Sequence, residues 1–234
     1  MDKSELVCRI ENFAPLDTAE SWDCSGWAVE TEKKEVNKVL LALTVTPKIV
    51  EQARYFDCDM IISHHPLFYV PLEFRDIDIY SAHTNLDLAH GGTTDTLISE
   101  LESFGLLVKD LERREGDFVR YVKTDTTVEE FLRVLKYVSP NLRYTKVGDN
   151  EILEKIAFCA GSGSEFISTA AQNGSDAYVT GDLKFHTVLE SPITIFDIGH
   201  FESEIGVLKV FEELIAGGCE VTYAHEESPF QVLE

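Results

Sequence analysis

The sequence predicts an α/β protein with a largely parallel or mixed β-sheet. Apolar runs of strand length alternate with stretches in which apolar residues recur at helical spacing. The 234 residues are 44% hydrophobic and 10% aromatic, which is enough to bury a sizeable core and too much for an intrinsically disordered chain. A chain of this length forms one large domain or two small ones.

The first half of the chain contains three predicted strands and two predicted helices. The run VLLALTVT at 39–46 is apolar almost throughout, as is typical of a buried strand. A proline in its first turn favours a helix over 47–56. Shorter apolar runs predict strands at 60–63 and 79–84, and helical spacing predicts a helix over 96–104.

The second half continues the alternation. A strand at 118–123 precedes a helix over 127–138, where Thr127 and Glu130 have the spacing of a capping box. A long amphipathic helix over 201–216 ends at two glycines. The remaining predicted elements are strands at 156–159, 177–180, 193–198 and 220–224, with helices near 165–173 and 183–190.

Two polar stretches are candidate linkers. The run DLERREGD at 110–117 is the better candidate, and 148–154 is the weaker. No repeat period and no low-complexity segment is visible in the sequence. The alternation of strands and helices therefore runs through most of the sequence, with 110–117 as the better candidate for a linker.

The charge of the chain excludes two classes of partner. Lys and Arg number 20 against 42 Asp and Glu, so the formal net charge is −22. Nucleic-acid binding and binding to anionic membranes both depend on cationic groups, so we expect neither partner. Only a few of the carboxylates are needed in a site, and the rest are typical of a solvated surface. The charge does not exclude one small anionic substrate.

The cysteines and the N-terminus indicate the compartment. Five cysteines are scattered, odd in number and never in C-x-x-C spacing, which argues against a disulfide framework and against a structural zinc knot. The first residues contain no apolar signal segment, and no run of about 18 apolar residues occurs. We expect a soluble, cytoplasmic protein.

Three predicted strands are followed by histidine and carboxylate residues. These are His64 with His65, His83 with Asp87, and His200 with Glu204. Binding sites in α/β folds form at the carboxyl ends of strands, so we expect the three groups to converge. Imidazole and carboxylate together suit Zn²⁺, Fe²⁺, Mn²⁺ or Ni²⁺ and differ from the oxygen ligands that Ca²⁺ prefers.

The spacing of these residues favours two ions. Two adjacent histidines at a strand end can diverge and reach different ions, and His200 and Glu204 share one face of a helix because they are four residues apart. Each motif alone has an ordinary explanation: an unremarkable histidine pair, a solvated i,i+4 pair, or a capped loop. The occurrence of all three at strand ends predicts a dinuclear metal site.

These histidine and carboxylate groups and the segments around them, taken in their order along the chain, resemble the GTP cyclohydrolase 1 type 2 family of NIF-three-like, dinuclear-metal proteins. The resemblance runs nearly from end to end. The chain is similar to the short form of that family, which lacks an inserted domain. The matching motifs are AESWDCSGW at 19–27, IISHHPLF at 61–68, SAHTNLD at 81–87, CAGSG at 159–163, DAYVTGD at 176–182, the residues at 184–186, and GHFESE at 199–204.

The resemblance implies an architecture. It implies two α/β lobes with mixed sheets and a dinuclear metal site in the cleft between them. Residues 1–109 with 191–234 would form the first lobe, which carries most of the metal ligands, and 110–190 would form the second. The resemblance also implies a ring-shaped homohexamer.

The resemblance implies a role for each site residue. The ligands of two divalent ions per chain would be His64, His65, Asp87, His200 and Glu204. Glu204 would bridge the ions, with His65 and Asp87 on one and His64 and His200 on the other. His83 and His186 match family histidines in or near the site and are the candidates for proton transfer or substrate contact. His90 and His225 match no motif.

Some positions depart from the family pattern. Thr44 stands where many members carry an aspartate, and Thr94 replaces an asparagine. Cys24 and Trp27 also differ from the usual residues. None of these changes removes a proposed ligand.

The function that the resemblance implies is hydrolysis by metal-activated water. The substrate would be GTP, a small anionic nucleotide, and the products would be 7,8-dihydroneopterin triphosphate and formate. Two alternatives stay open: a dinuclear phosphoesterase or nucleotide hydrolase, and a metal-binding or adaptor protein without turnover. No Walker-type loop is present, although the Gly-Ser turn at 161–164 could bind an anion through its amides.

Overall fold

The computed structural model describes residues 1–149 and 151–231. Within these residues the chain forms nine α-helices and eleven strands in two mixed sheets, so the predicted α/β class is confirmed. The helices are α1 (Lys3–Phe13), α2 (Pro47–Tyr55), α3 (Thr84–Leu88), α4 (Thr93–Ser103), α5 (Val128–Val138), α6 (Ile167–Gln172), α7 (Phe185–Leu189), α8 (His200–Glu204) and α9 (Leu208–Ile215). The strands are β1 (Gly26–Val29), β2 (Lys38–Thr44), β3 (Met60–His65), β4 (Asp78–Ser81), β5 (Asp110–Arg113), β6 (Arg120–Thr127), β7 (Arg143–Thr145), β8 (Ile152–Phe158), β9 (Ala177–Thr180), β10 (Thr194–Asp197) and β11 (Glu220–Tyr223).

The chain divides into two compact units. Unit 1 comprises Met1–Gly92 and Val207–Glu227, and unit 2 comprises Thr93–Gly206 with the described residues from Ser228 onward. The sequence placed the boundaries at 109/110 and 190/191 instead. Residues 191–206 group with unit 2 because β10 pairs with β9 and β7 in its sheet. That each unit is a folding domain stays a prediction.

Unit 1 is built on a five-stranded sheet of order β1-β4-β3-β2-β11. Strands β4, β3, β2 and β11 are parallel, and β1 runs antiparallel to β4. One face packs Leu40, Ile61 and Ile79 against Ile49 and the rest of the apolar side of α2. Strands buried on both faces need continuous apolar runs, which is why β2 and β3 were visible in the sequence.

Unit 2 is built on a six-stranded sheet of order β5-β6-β8-β9-β10-β7. Its core includes Phe131 of α5, which meets Phe158 and Phe196 of the sheet edge to face. The predicted capping box is confirmed, since Thr127 and Glu130 each bond the backbone N–H of the other. The cap fixes where β6 stops and α5 begins.

The two units repeat one topology. The order β1-β4-β3-β2 in unit 1 corresponds to β7-β10-β9-β8 in unit 2, with one antiparallel pair followed by parallel pairs in both. Asp59 before β3 and Asp176 before β9 stand half a chain length apart and make the same backbone bonds, from their N–H to the carbonyls of Lys38 and Lys155. A repeat is therefore present in the fold although none is visible in the sequence.

Three predicted elements need correction. The stretch 110–117 is not a simple linker, because its first four residues form β5 and pair with β6. The weaker linker 148–154 overlaps the start of β8. The helix over 201–216 is broken by a 3₁₀ turn at Ile205–Val207. A Cβ at Gly206 would lie 3.1 Å from Glu100 Oε2, so a glycine there lets α4 approach the break closely.

Four further elements were not predicted: α1, β1, α3 and β7. The start of α1 is set by Asp2, whose carboxylate accepts from the N–H groups of Ser4 and Glu5. No helix among the described residues is long and apolar enough to cross a membrane.

Candidate metal centre

Three histidines of unit 1 form a cluster at the end of β3. His64, His65 and His83 each offer one ring nitrogen within 4.8 Å of the other two, which is a spacing that could hold a metal ion. The first two end β3, and His83 follows β4 and precedes α3. Because β3 and β4 are parallel neighbours, their carboxyl ends deliver these side chains to one edge of the sheet.

His64 is fully buried and is held by a backbone carbonyl. Its Nδ1 lies 3.0 Å from Ala82 O, and a carbonyl can only accept, so Nδ1 carries the proton. Its Nε2 lies 3.4 Å from Asp87 Oδ1 on α3. This tautomer directs the lone pair of Nε2 toward the carboxylate and suits coordination of a cation between them.

His65 is held by a hydroxyl on the neighbouring strand. Thr44 Oγ1 lies 2.6 Å from His65 Nδ1, and the two residues are directly opposite in the β2–β3 register. Adjacent side chains on paired strands are close enough to bond. The hydrogen bond from Thr44 to Nδ1 thereby orients the ring of His65.

His83 is held by a buried carboxylate. Its Nδ1 lies 3.0 Å from Asp23 Oδ1, while Asp23 Oδ2 accepts from Thr84 N at 3.1 Å, Thr84 Oγ1 at 2.6 Å and Ser25 Oγ at 2.7 Å. Burial by itself raises the pKa of Asp23, but these hydrogen bonds outweigh it and hold the pKa well below its ordinary value. Asp23 therefore stays ionised and orients the ring of His83.

In unit 2, His200 and Glu204 share one face of α8. His200 Nε2 lies 2.9 Å from Glu204 Oε2, and its Nδ1 lies 2.7 Å from Asp182 Oδ2. Burial lowers the pKa of His200, but the bonds and charges of these two carboxylates outweigh it and raise the pKa to about 9. The side chain of Glu204 is 5% exposed, so its charge is held in a buried place beside the imidazole.

A glycine makes room for the pair of His200 and Glu204. Gly161 has φ +69°, and a Cβ there would clash with Glu204 Oε1. Its N–H donates to Ser203 Oγ at 2.8 Å, and Ser203 Oγ donates to His200 O at 2.8 Å. Asp182 also has a positive φ of 56°, which is uncommon for a residue other than glycine and is typical of constrained functional positions.

The donor set fits a transition-metal ion. His64, His65, His83 and His200 each have Nδ1 engaged by a carbonyl, a hydroxyl or a carboxylate. Metal-binding histidines are oriented in this way by a partner on the second ring nitrogen, which leaves Nε2 as the ligand atom. The two units thus carry His and carboxylate groups that could hold a metal.

The other histidines lie elsewhere. His186 is exposed on α7, where its ring contacts Phe185. It belongs to no group of potential metal ligands among the described residues. His90 is exposed, and His225 is exposed with its backbone bonded to Gln52. The structure therefore brings His83 into the cluster and leaves His186 outside it.

Sequence reasoning gave no role to Asp23 and Asp182. Both lie in stretches that resemble family motifs, in WDCSGW and VTGD. An aspartate directly after an apolar strand and a glycine, as in VTGD, is a signal that could have identified Asp182. Asp23 had no such signal, because its partner is 60 residues away in the chain.

A cavity of about 560 Å³ in unit 2 is bordered by Asp182 and Gly199. Its wall includes the ion pair of Arg143 and Asp197, which also borders a second cavity of about 490 Å³ lined mainly by apolar side chains of α7 and β7. Volumes of this size are typical of small-molecule sites.

Comparison with known proteins places these features in context. The family model described as Duf34/NIF3 (NGG1p interacting factor 3) matches residues 1–229. A Clostridium perfringens protein called GTP cyclohydrolase 1 type 2 homolog is 35% identical over 243 aligned positions, covering 92% of this chain and 91% of that protein. A Campylobacter jejuni protein with the same description is 31% identical over 87% of this chain and 88% of that protein. The solved structure of reduced HcgD from Methanocaldococcus jannaschii has a TM-score of 0.84 at 26% identity, covering 97% of this chain and 98% of that one.

Proposed function

The chain belongs to the Duf34/NIF3 family, and from this premise we propose that it is a dinuclear metal-dependent hydrolase of a small anionic nucleotide. One observation carries the proposal. In both units a histidine whose Nδ1 is already bonded stands beside a carboxylate at the end of a parallel strand. GTP is the first candidate substrate because the similar proteins are described as homologs of a GTP cyclohydrolase.

The proposed ligands are three histidines and two carboxylates. They are His64, His65, Asp87, His200 and Glu204. Glu204 is the proposed bridging ligand, because its buried carboxylate has two oxygens and one of them lies 2.9 Å from Nε2 of His200. Two divalent ions bring four positive charges and the carboxylates return two, so the loaded site stays cationic and suits an anionic substrate.

Metal ions in such a site lower the pKa of a bound water and polarise the bond to be broken. The chain's own residues provide positioning and proton transfer. His83 is the proposed proton carrier, because Asp23 holds its Nδ1 and leaves Nε2 for exchange with substrate. His186 is retained as a candidate for substrate contact, since its exposure on α7 leaves it accessible.

The cavity beside Asp182 supports a site for the nucleobase. Its wall carries the carboxylates of Asp182, Asp197 and Glu202 against one cation, Arg143. Such a wall repels phosphate groups and accepts hydrogen bonds from the N–H groups of a guanine edge. The triphosphate would then lie toward the cationic ions.

The test is incubation of the protein, loaded in turn with Zn²⁺, Mn²⁺, Fe²⁺ and Ni²⁺, with GTP. We expect formate and a pterin that becomes fluorescent after oxidation. Release of phosphate without formate would replace the proposal by a dinuclear phosphoesterase or nucleotide hydrolase. Neither product with any of the four metals would contradict hydrolysis of GTP and favour a metal-binding or adaptor protein.

A further inference from the structure

The segment that follows β11 extends along the end of β2. Ala224 N donates to Leu41 O at 2.8 Å, which continues the parallel pairing one residue beyond the strand. The side chain of Gln52 on α2 then bonds the backbone of His225 twice, donating to its carbonyl at 3.1 Å and accepting from its N–H at 2.8 Å. These contacts place the next residue, Glu226, over the carboxyl end of β2.

The carboxylate of Glu226 binds two consecutive backbone groups. Oε2 accepts from Leu43 N at 2.6 Å, and Oε1 accepts from Thr44 N at 3.0 Å. The ladder between β11 and β2 ends at Leu41, so Glu226 takes the place of a strand partner for these two N–H groups. Burial raises the pKa of this carboxyl, while the two N–H groups act in the opposite direction.

Thr44 connects this carboxylate to the metal centre. Its hydroxyl lies 2.6 Å from Nδ1 of His65, directly across the β2–β3 ladder. A hydroxyl rotates about a single bond, so its reach to the imidazole depends on where the backbone of Thr44 is held. That backbone is fixed on one side by β3 and on the other by Glu226.

We propose that Glu226 is a positioning residue that orients His65 through Thr44. The C-terminal segment of unit 1 is then part of the support of the metal site, although none of its residues is a proposed ligand. The inference rests on the proposed function in taking His65 as a ligand. Partners that orient a metal-binding histidine commonly change metal affinity by 10-fold to 100-fold when they are removed.

The test compares Glu226→Gln with Glu227→Gln. Glutamine replaces one carboxylate oxygen by an NH2 group, which donates and cannot accept, so in the same position it faces one of the two N–H groups without bonding it. Glu227 is the exposed neighbour and bears the same charge. Two quantities are measured: Zn²⁺ affinity by competition with a chromophoric chelator, and the ¹⁵N signals of the His65 ring in the metal-free protein, assigned by comparison with His65→Gln.

We expect Glu226→Gln to weaken Zn²⁺ binding about 10-fold and to shift the His65 ring signals, with both unchanged in Glu227→Gln. Unchanged His65 signals in Glu226→Gln would overturn the proposal. If that variant does not fold by circular dichroism, Glu226→Asp replaces it, because the shorter side chain withdraws both oxygens and the same changes are expected.

A double-variant cycle tests the path through Thr44. Thr44→Val removes the hydroxyl at nearly constant volume and should weaken Zn²⁺ binding to a similar extent. If Glu226 acts through Thr44, adding Glu226→Gln to Thr44→Val causes little further loss. Fully additive losses would contradict the path. If the unmodified chain binds no Zn²⁺, the proposed function fails, whereas the His65 signals still decide the positioning role.

Discussion

At the residue scale, the chemistry of the centre depends on what holds the second nitrogen of each imidazole. Ala82, Thr44, Asp23 and Asp182 bond Nδ1 of four different histidines. The histidines themselves were visible in the sequence because they directly follow apolar strands. All four partners lie at least 18 residues from their histidine, and sequence spacing does not reveal such contacts.

We expect Glu204→Gln to lower bound metal from about two ions per chain to one or none, because the change removes the proposed bridging charge. Elemental analysis after dialysis against Zn²⁺ measures the stoichiometry. Glu212→Gln is the control, since Glu212 is an exposed residue of α9 that accepts a hydrogen bond from Tyr223. An unchanged metal content in Glu204→Gln would remove Glu204 from the ligand set.

At the element scale, carboxylates close the ends of the parallel strands. Asp59 accepts from Asn37 N at 2.9 Å and from Lys38 N at 3.4 Å where β2 starts, and Glu226 accepts at its other end. Asp176 makes similar contacts within β8, to Glu154 N and Lys155 N. In each unit, an aspartate that precedes one strand thus accepts from two consecutive N–H groups of the neighbouring strand segment.

Asp59→Asn should lower the free energy of unfolding by about 1 kcal/mol at pH 7, since a charged acceptor is lost. Burial raises the pKa of Asp59, but the N–H groups and Lys33 outweigh it and the pKa is lowered. The contribution is therefore present above the unfolded pKa of about 3.9 and is lost as the pH falls through the folded value. Urea unfolding between pH 7 and pH 3 measures it, with exposed Asp17→Asn as control. A difference that persists unchanged at pH 3 would contradict this account.

The turn after β8 requires a glycine for two separate reasons. Gly161 has a positive φ, and a Cβ would also clash with Glu204. Gly174 has a similar φ of +75° with nothing within 4 Å of its Cβ position. We expect Gly174→Ala to cost about 1 kcal/mol of unfolding free energy and Gly161→Ala about 1–3 kcal/mol more, with loss of bound metal. Thermal unfolding measures both variants. Equal losses of unfolding free energy would show that the side chain of Glu204 moves aside without a penalty.

At the scale of the whole molecule, the chain is two units with one repeated topology and a net charge of −22. The charge favours solubility and repels polyanions, whereas the proposed metal-loaded centre would act only at short range. Several large apolar side chains are nonetheless exposed, among them Phe68, Tyr69, Phe185 and Leu189. Exposed apolar surface of this kind is consistent with burial between copies of the chain.

We propose that the protein is a homohexamer in solution. Light scattering coupled to size exclusion should then give a mass six times that of the 26.3 kDa chain. The apolar contacts should persist in 1 M salt, because screening weakens the repulsion between acidic chains more than it weakens apolar burial. A monomer mass at every protein concentration would contradict the assembly.

By itself the sequence determined the α/β class, the central strands and the histidines and carboxylates at their ends. These features are local, because apolar periodicity and the position of a residue after a strand depend only on residues close together in the sequence. Only the tertiary structure decided the repeat, the break of the helix over 201–216, and the partners that orient each imidazole. Those features depend on contacts such as Asp23 with His83 and Glu226 with Thr44, which join residues far apart in the chain and exist only once the sheets have formed.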